Sequence, residues 1–347
     1  ANPDLKPVSI KEYEVGLNLA FMSNRLSFDM AYYNKNTTDD IAVVTTSSAS
    51  GFGSKYMNVG EIRNQGFEFM VNATPVHTKN FSWETTFNFA YNDSEVKYLG
   101  GVKSLSIDGA SARSGNVTVR NIVGQPYGML VGYKYARDEQ GRVIHKNGIP
   151  QATDELQNLG NGVYKYTGGW SNTLRFRDFS LSFLIDYKAG ASLFSGTNYS
   201  LYSEGLHKGT LLGRTVDNPG GSGFIGAGVM IDDNGKILGE NNVAVNAQDY
   251  HKGIVNNNIA EEFVYNASFI KLRELSLGYT FPQSVLNKMK VVKGLSVSLV
   301  GRNLWTILKH TDNIDPESAY NNTNGQGLEL NGYPATRNVG FNVNVKF

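Results

Sequence analysis

Strict alternation of apolar and polar residues recurs nine times along this chain, and it constrains the fold more than any other feature. The last ten residues show it plainly: Val339, Phe341, Val343, Val345 and Phe347 alternate with Asn338, Gly340, Asn342, Asn344 and Lys346. The same period of two runs through Tyr13, Val15, Leu17, Leu19 and Phe21, through Leu26, Phe28, Met30 and Tyr32, and through Phe67, Phe69 and Val71. It continues in Phe81, Trp83, Thr85, Phe87, Phe89 and Tyr91, in Trp170, Leu174 and Phe176, and in Phe179, Leu181, Phe183, Ile185 and Tyr187. Leu275, Leu277, Tyr279 and Phe281, then Leu295, Val297 and Leu299, complete the set. Alternation over such lengths predicts strands with one apolar and one polar face. Composition agrees: aromatics make up 12% and Gly stands at 38 against 9 Pro, a mix that suits strands and turns better than helices.

The connections select among all-β architectures. Tight links at 22–24, 74–80, Arg177-Asp178 and 282–294 alternate with long ones at 36–61, 94–163, 190–267 and 305–337. A soluble sandwich has no reason to keep that order. An antiparallel transmembrane β-barrel does, with tight turns on the periplasmic side and long loops outside. Polar strand faces then line a wet lumen, apolar faces meet lipid, and aromatics near strand ends such as Tyr13, Phe21, Phe81, Tyr91 and Phe281 form interface girdles. Arg175 falls on the polar parity and is expected to face the lumen. Lys271 and Arg273 share parity with lipid-facing Leu275. Either they snorkel at the outer interface or a bulge flips the register there.

Counting strands gives a topology. The last strand is expected to run inward, ending in the periplasm. Nine strands back, residue 1 then lies on the extracellular side. Complete bacterial barrels have even strand numbers with both ends periplasmic, so the expectation is about nine C-terminal strands of a larger barrel. An open sheet in lipid would leave two edges unpaired. The opening "ANPDLKPVSI" has neither a basic nor an apolar signal region, so any export signal is expected outside these residues.

Several function classes are disfavoured. Lys+Arg 32 against Asp+Glu 31 predicts no nucleic-acid partner. The absence of cysteine excludes thiolate metal sites and Cys nucleophiles. "GSGFIG" (221–226) spells a dinucleotide fingerprint but lacks the flanking strand and helix, and reads as an external loop. "DDNGKI" (232–237) has a Ca²⁺-loop flavour, yet Val243 occupies the twelfth position that needs Glu, and Lys236 sits where a ligand belongs. That stretch and "DEQG" (138–141) read as hairpin tips. His77, His145, His207, His251 and His310 are scattered without metal or catalytic spacing. No catalytic, cofactor-binding or metal residue is nominated, and an enzyme is not expected.

The ordered motifs carry a family likeness. "NPDLKP" (2–7), "EYEVGLNLAF", "NRLSFDMAYYNKNTTD", "NVGEIRNQGFEF", "FSWETTFNFAYN", "FIKLRELSLGYTFP", "GRNLWT", "DPES" and "YPATR", with the terminal Phe, resemble the C-terminal barrel portion of SusC/RagA-type TonB-dependent outer-membrane transporters. Val8 replaces the Glu usual after "NPDLKP". The resemblance implies a barrel of about 22 strands with an N-terminal plug, which these residues do not contain. It implies import of large nutrients, glycans or peptides, energised through the TonB complex and assisted by a SusD-like surface lipoprotein. The further partners are the remaining N-terminal barrel and plug segment, the lipid bilayer and, during biogenesis, the barrel-assembly machinery. The alternative is a structural subunit of a larger outer-membrane complex without active transport. A passive porin half is disfavoured by the motifs and the long loops.

Candidate substrate or lid contacts are the loop aromatics Tyr199, Tyr202, Tyr250, Trp305, Tyr320 and Tyr333, alongside Phe224. Each could equally pack loops against one another. "DPES" (315–318) reads as a turn of the last external loop rather than a reactive pair. Phe347 and Phe341 on the alternating last strand are the expected barrel-assembly signal.

Overall fold

A computed structural model of the chain describes residues 3–45, 49, 51, 53–112, 116–214, 223–289, 291–318 and 325–347. Nine long strands form one sheet: β1 (Ser9–Phe21), β2 (Leu26–Thr45), β3 (Ser54–His77), β4 (Phe81–Leu99), β5 (Tyr166–Phe176), β6 (Phe179–Ala189), β7 (Phe269–Thr280), β8 (Gly294–Lys309) and β9 (Asn338–Lys346). Each pairs antiparallel with its neighbour in sequence, so β1 and β9 are the edges.

Register turns the alternation into two faces. One row across the sheet reads Leu17, Met30, Phe69, Phe89, Gly168, Tyr187, Ile270, Leu308. The adjacent row reads Asn18, Asp29, Met70, Asn88, Gly169, Asp186, Lys271, Thr306. Because side chains alternate along every strand, apolar and polar rows fall on opposite sides of the sheet. Gly168 interrupts the apolar row, and the Tyr187 ring lies where its Cβ would stand. Asn172 sits on the apolar parity but is covered, and Trp83 Nε1 donates to its Oδ1 at 2.9 Å. Trp170 Nε1 likewise donates to Thr85 Oγ1 at 2.9 Å. Indole N–H groups thus meet two side-chain oxygens on the otherwise greasy face, while Asn172 Nδ2 is left buried without a partner.

The apolar face stays uncovered by protein: Leu277 is 53% exposed and Leu299 57%. A water-soluble sheet would bury this face. The buried core lies instead in the connections, where Val117, Val119, Leu130, Phe194, Tyr202, Ile254, Ile259, Phe263 and Leu328 pack together. Three small sheets organise this layer, with α1 (Gly196–Ser203) and α2 (Ala247–Asn256). Ser195 caps α1 by accepting from Asn198 N, and Asn246 caps α2 by accepting from Gln248 N. No helix among the described residues is long and apolar enough to cross a membrane, which says nothing of strands.

The links follow the expected order with one correction. At one end of the sheet the chain turns at 22–25, 78–80, 177–178 and 281–293, the first turn carrying Met22, Ser23 and Asn24 at positive φ and the third Arg177 at φ 52°. At the other end the connections between β4 and β5, β6 and β7, and β8 and β9 build the folded layer. The expected long link 36–61 is mostly strand: β2 continues to Thr45 and β3 begins at Ser54. Likewise β4 extends to Leu99 and β8 to Lys309. The bulge at Asp40, with Asp39 at φ 58°, breaks the period of two along β2. An arm that meets water on both faces needs no apolar alternation, so the sequence pattern stops before the strand does.

Candidate functional site: the polar face and its rim

The concave polar face holds a groove of about 930 Å³, lined among others by Asp29, Glu68, Asn88, Asp186, Arg273 and Arg302. Its charges are largely met in place. Arg302 Nε donates to Glu274 at 3.0 Å, Arg175 Nη1 pairs with Glu84 at 2.5 Å, and Tyr33 donates to Asn92 Oδ1 at 2.8 Å. Arg175 therefore lies on the polar face, as its parity predicts.

Where β6 and β7 meet the folded layer, an ionic cluster closes the rim. Two bulges create it. Leu184 pairs with Glu274 and Ile185 with Leu272, so Arg273 is an extra residue on β7 relative to β6. On the other side Glu274 pairs with Arg302 and Leu272 with Trp305, leaving Arg273 opposite Asn303, at φ 52°, and Leu304. The bulge resolves the parity conflict of "KLRE": Lys271 registers with Asp186 on the polar row, and Arg273 lines the concave groove. Neither residue faces the greasy side.

Lys271 is 4% exposed, and its Nζ reaches Asp315 Oδ1 at 2.7 Å, Asp315 Oδ2 at 2.8 Å and Glu317 Oε2 at 2.8 Å. Arg273 Nε donates to Asp186 Oδ2 at 2.7 Å, its Nη1 donates to Asn303 at 3.3 Å, and its guanidinium also contacts Glu317. Lys188 Nζ lies 3.3 Å from Glu317 Oε1. Three cations meet three carboxylates, and Tyr164 adds a bond to Pro316 O at 3.0 Å. "DPES" is thus the segment that clamps the last long connection onto the rim.

Burial would raise the Glu317 carboxyl, but Arg273 and Lys271 hold it down at about 2, below its ordinary 4.5. A lowered carboxylate stabilises the fold at any pH above the ordinary value and loses that contribution as pH falls through the lowered one. The 310–318 segment is therefore expected to keep its protease resistance down to about pH 4.5 and lose it progressively toward about pH 2. Limited pepsin digestion of the intact protein across this range checks the window. Loosening that is already complete at pH 5 would contradict it.

A second cavity of about 350 Å³ adjoins the cluster, lined among others by Asn303, Trp305, Asn313, Tyr333 and Arg337. It brings together two of the candidate aromatics, Trp305 and Tyr333, and Tyr333 is 97% exposed. The others lie apart. Tyr199 donates to Val255 O at 2.8 Å and packs edge-on against Phe263. Tyr202 is buried against Phe263 and donates to Glu262 at 3.2 Å. Tyr250 packs on Phe224 and on the His145 ring. Tyr320 lies outside the described residues, as do Gly221 and Ser222 of "GSGFIG". Phe341, 79% exposed, is on edge strand β9, and Phe347 follows it.

The loop carboxylates that hinted at calcium are taken up by turns. Asp232 Oδ1 accepts from Asn234 N and Lys236 N, and Asp138 Oδ1 from Gln140 N and Arg142 N. Among the described residues no group of three or more His, Asp or Glu is placed to hold a metal ion.

The comparisons with known proteins agree with this architecture. Residues 1–171 match the family described as TonB dependent receptor-like, beta-barrel. Over its whole length the chain is 25% identical to TonB-dependent receptor P3 of Formosa agariphila, of which it covers 35%. It is 23% identical to TonB-dependent receptor SusC of Bacteroides thetaiotaomicron, of which it covers 32%. All of the chain superposes on 36% of a chain of the RagAB peptide transporter, with TM-score 0.71 and 22% identity. A RagAB peptide importer in its open-open state gives TM-score 0.71 and 23% identity over 35% of its chain.

Fold and matches together define the class: the chain has the fold of part of a TonB-dependent receptor β-barrel, and its residues 1–171 match that family's model. Its likeness to TonB-dependent receptor SusC and to the RagAB structures extends over its whole length. The chain spans about a third of the length of these relatives.

Proposed function

We propose that this chain is the barrel segment of a TonB-dependent importer of large nutrients, glycans or peptides. The observation that carries the reading is the asymmetry of the sheet. A polar groove runs along its concave face, short turns close one end, and a folded layer of long connections stands over the other. A wet lumen beneath an elaborated outer vestibule suits capture and passage of a bulky polar solute. The relatives' names support the TonB dependence, and the RagAB titles support peptides as one cargo class.

In this reading residue 1 lies on the extracellular side and the C-terminus in the periplasm. The remaining barrel and a plug pair with and fill the segment, TonB acts through that missing part, and a SusD-like lipoprotein lids the layer. Trp305 and Tyr333 contact cargo at the rim cavity. Phe341 and Phe347 on the last strand engage the barrel-assembly machinery.

Uptake by cells carrying the intact receptor tests the reading. Labelled oligosaccharide and peptide pools are expected to enter only with TonB present and the proton-motive force intact. Entry that survives both loss of TonB and a protonophore would overturn import of this kind.

A further inference from the structure

Segment 204–214 leaves α1 and crosses the folded layer with three leucines turned to solvent: Leu206 is 73% exposed, Leu211 62% and Leu212 63%. A segment that shows so much apolar surface gains little from burial and depends on its tethers. Beyond α1, two polar contacts hold it among the described residues. Lys208 Nζ pairs with Asp312 at 2.8 Å, with both side chains well exposed, a kind of contact worth little. The second is His251 on α2, whose Nε2 lies 3.2 Å from Leu212 O. Within the segment, His207 Nδ1 accepts from Gly209 N at 3.0 Å and so caps the short helical turn Lys208–Leu211.

Both imidazoles are buried, 4% exposed each, and both are in protonation states that these bonds dictate. His207 accepts at Nδ1, so its proton sits on Nε2. His251 donates from Nε2 to a carbonyl, so its Nδ1 is bare. The remaining nitrogens, His207 Nε2 and His251 Nδ1, are buried without a hydrogen-bond partner. A second proton has no good place on either ring. On His207 it would set an N–H against the Gly209 N–H and abolish the cap. On His251 it would place charge on a nitrogen with no acceptor. An imidazolium needs two acceptors, and each site offers one or none.

The surrounding charges do not reverse this. His207 lies tilted against the Tyr202 ring, with centroids 4.8 Å apart, Lys208 disfavouring its cation and Asp312 and Glu262 favouring it. His251 lies among the Tyr202, Phe224 and Tyr250 rings, with Arg214 the charged group that acts on it. Burial holds both imidazoles below the ordinary range. A base held below its ordinary value stabilises the fold above that value and loses the contribution progressively as pH falls from there through the lowered one.

We propose that segment 204–214 is an acid-released strap of the outer layer, held while His207 and His251 are neutral and freed when they gain protons. His145 is a natural control. It is also buried, and burial holds it below the ordinary range too, but Tyr250 Oη stands 3.5 Å from its Nε2 and Val143 O lies 3.2 Å from its Nδ1, so both nitrogens have an oxygen in reach.

Amide hydrogen exchange on the intact receptor in detergent tests this, after correction for the pH dependence of intrinsic exchange. Protection of peptides within 205–214 is expected to fall about tenfold between about pH 7.5 and about pH 5. Peptides covering 144–146 are expected to hold. Exchange at the histidine C2–H reports protonation of each ring in the same samples. The midpoints for His207 and His251 are expected to coincide with the loss of protection. The double variant His207→Asn, His251→Gln keeps an acceptor for Gly209 N and a donor for Leu212 O without titrating. It is expected to remain protected at both pH values. Unchanged wild-type protection at about pH 5, or opening that does not track the two histidine midpoints, would overturn the proposal.

Discussion

Replacing Lys271 by Met should free the last long connection from the rim while leaving the sheet intact. The Met side chain fills similar space but removes three charge-assisted bonds of 2.7 to 2.8 Å to Asp315 and Glu317. Glu317 would keep Arg273 and Lys188 as cations, while Asp315 would lose the only cation it pairs with among the described residues. Breaking a buried ion pair by removing one partner costs about 3–5 kcal/mol, and the partial exposure of Glu317 places this case near about 3 kcal/mol. Opening of residues 310–318 should rise roughly a hundredfold, since each 1.36 kcal/mol is about a factor of ten. Amide exchange in the intact protein reads this directly. Adding Asp315→Asn should recover part of the loss, because the orphaned charge is then reduced. Exchange in Lys271→Met that matches the wild type would mean the cluster does not hold the loop.

The second large effect distinguishes the two faces of the sheet. Val76, Trp83, Leu174, Leu181, Leu277, Leu299 and Phe341 form one row across seven strands. Phe183, of the same parity as Leu181, stands midway along β6, between Asn172 and Leu275. Phe183→Arg would turn a guanidinium toward lipid at a cost of roughly 2–4 kcal/mol near the bilayer midplane. The preceding residue, Ser182, stands between Thr173 and Ser276 on the polar side, where Ser182→Arg meets water. The expected result is a sharp fall in folded, heat-modifiable barrel for Phe183→Arg and near-normal yield for Ser182→Arg. Equal losses would contradict the assignment of faces.

Much of this architecture is legible in the residues, and what is not has identifiable causes. The period of two marks all nine strands because each must present one face to lipid and one to water, so every second residue is constrained. That constraint ends where the arms of β2 and β3 leave the bilayer, and residues such as Asn36 and Thr37 carry no face signal there. The rim cluster is half legible: Lys271 and Arg273 visibly break the pattern of Leu275 and Leu277. Whether they snorkel or sit on a bulge depends on the partners Asp186 and Asn303, which only pairing brings opposite. Their counter-charges Asp315 and Glu317 come from a segment whose sequence reads as a plain turn. Among the aromatics, composition cannot separate rings that pack from rings that face the rim. Tyr202 fills the core of the outer layer while Trp305, on strand β8 rather than in a loop, and Tyr333 border a cavity. The paired burial of His207 and His251 has no spacing signature because three separate segments create it.

Sidedness is the central claim, and single-cysteine labelling in whole cells addresses it without background from this chain, which contains no cysteine. A membrane-impermeant maleimide should modify cysteines placed at Asp154, Asn234 or Leu211 in intact cells. Cysteines at Ser23, Lys79 or Asp178 should react only after the outer membrane is permeabilised. Labelling of the three short turns in intact cells, with the three sites in the long connections protected, would invert the account. Labelling of both sets without permeabilisation would remove the sheet from the membrane altogether.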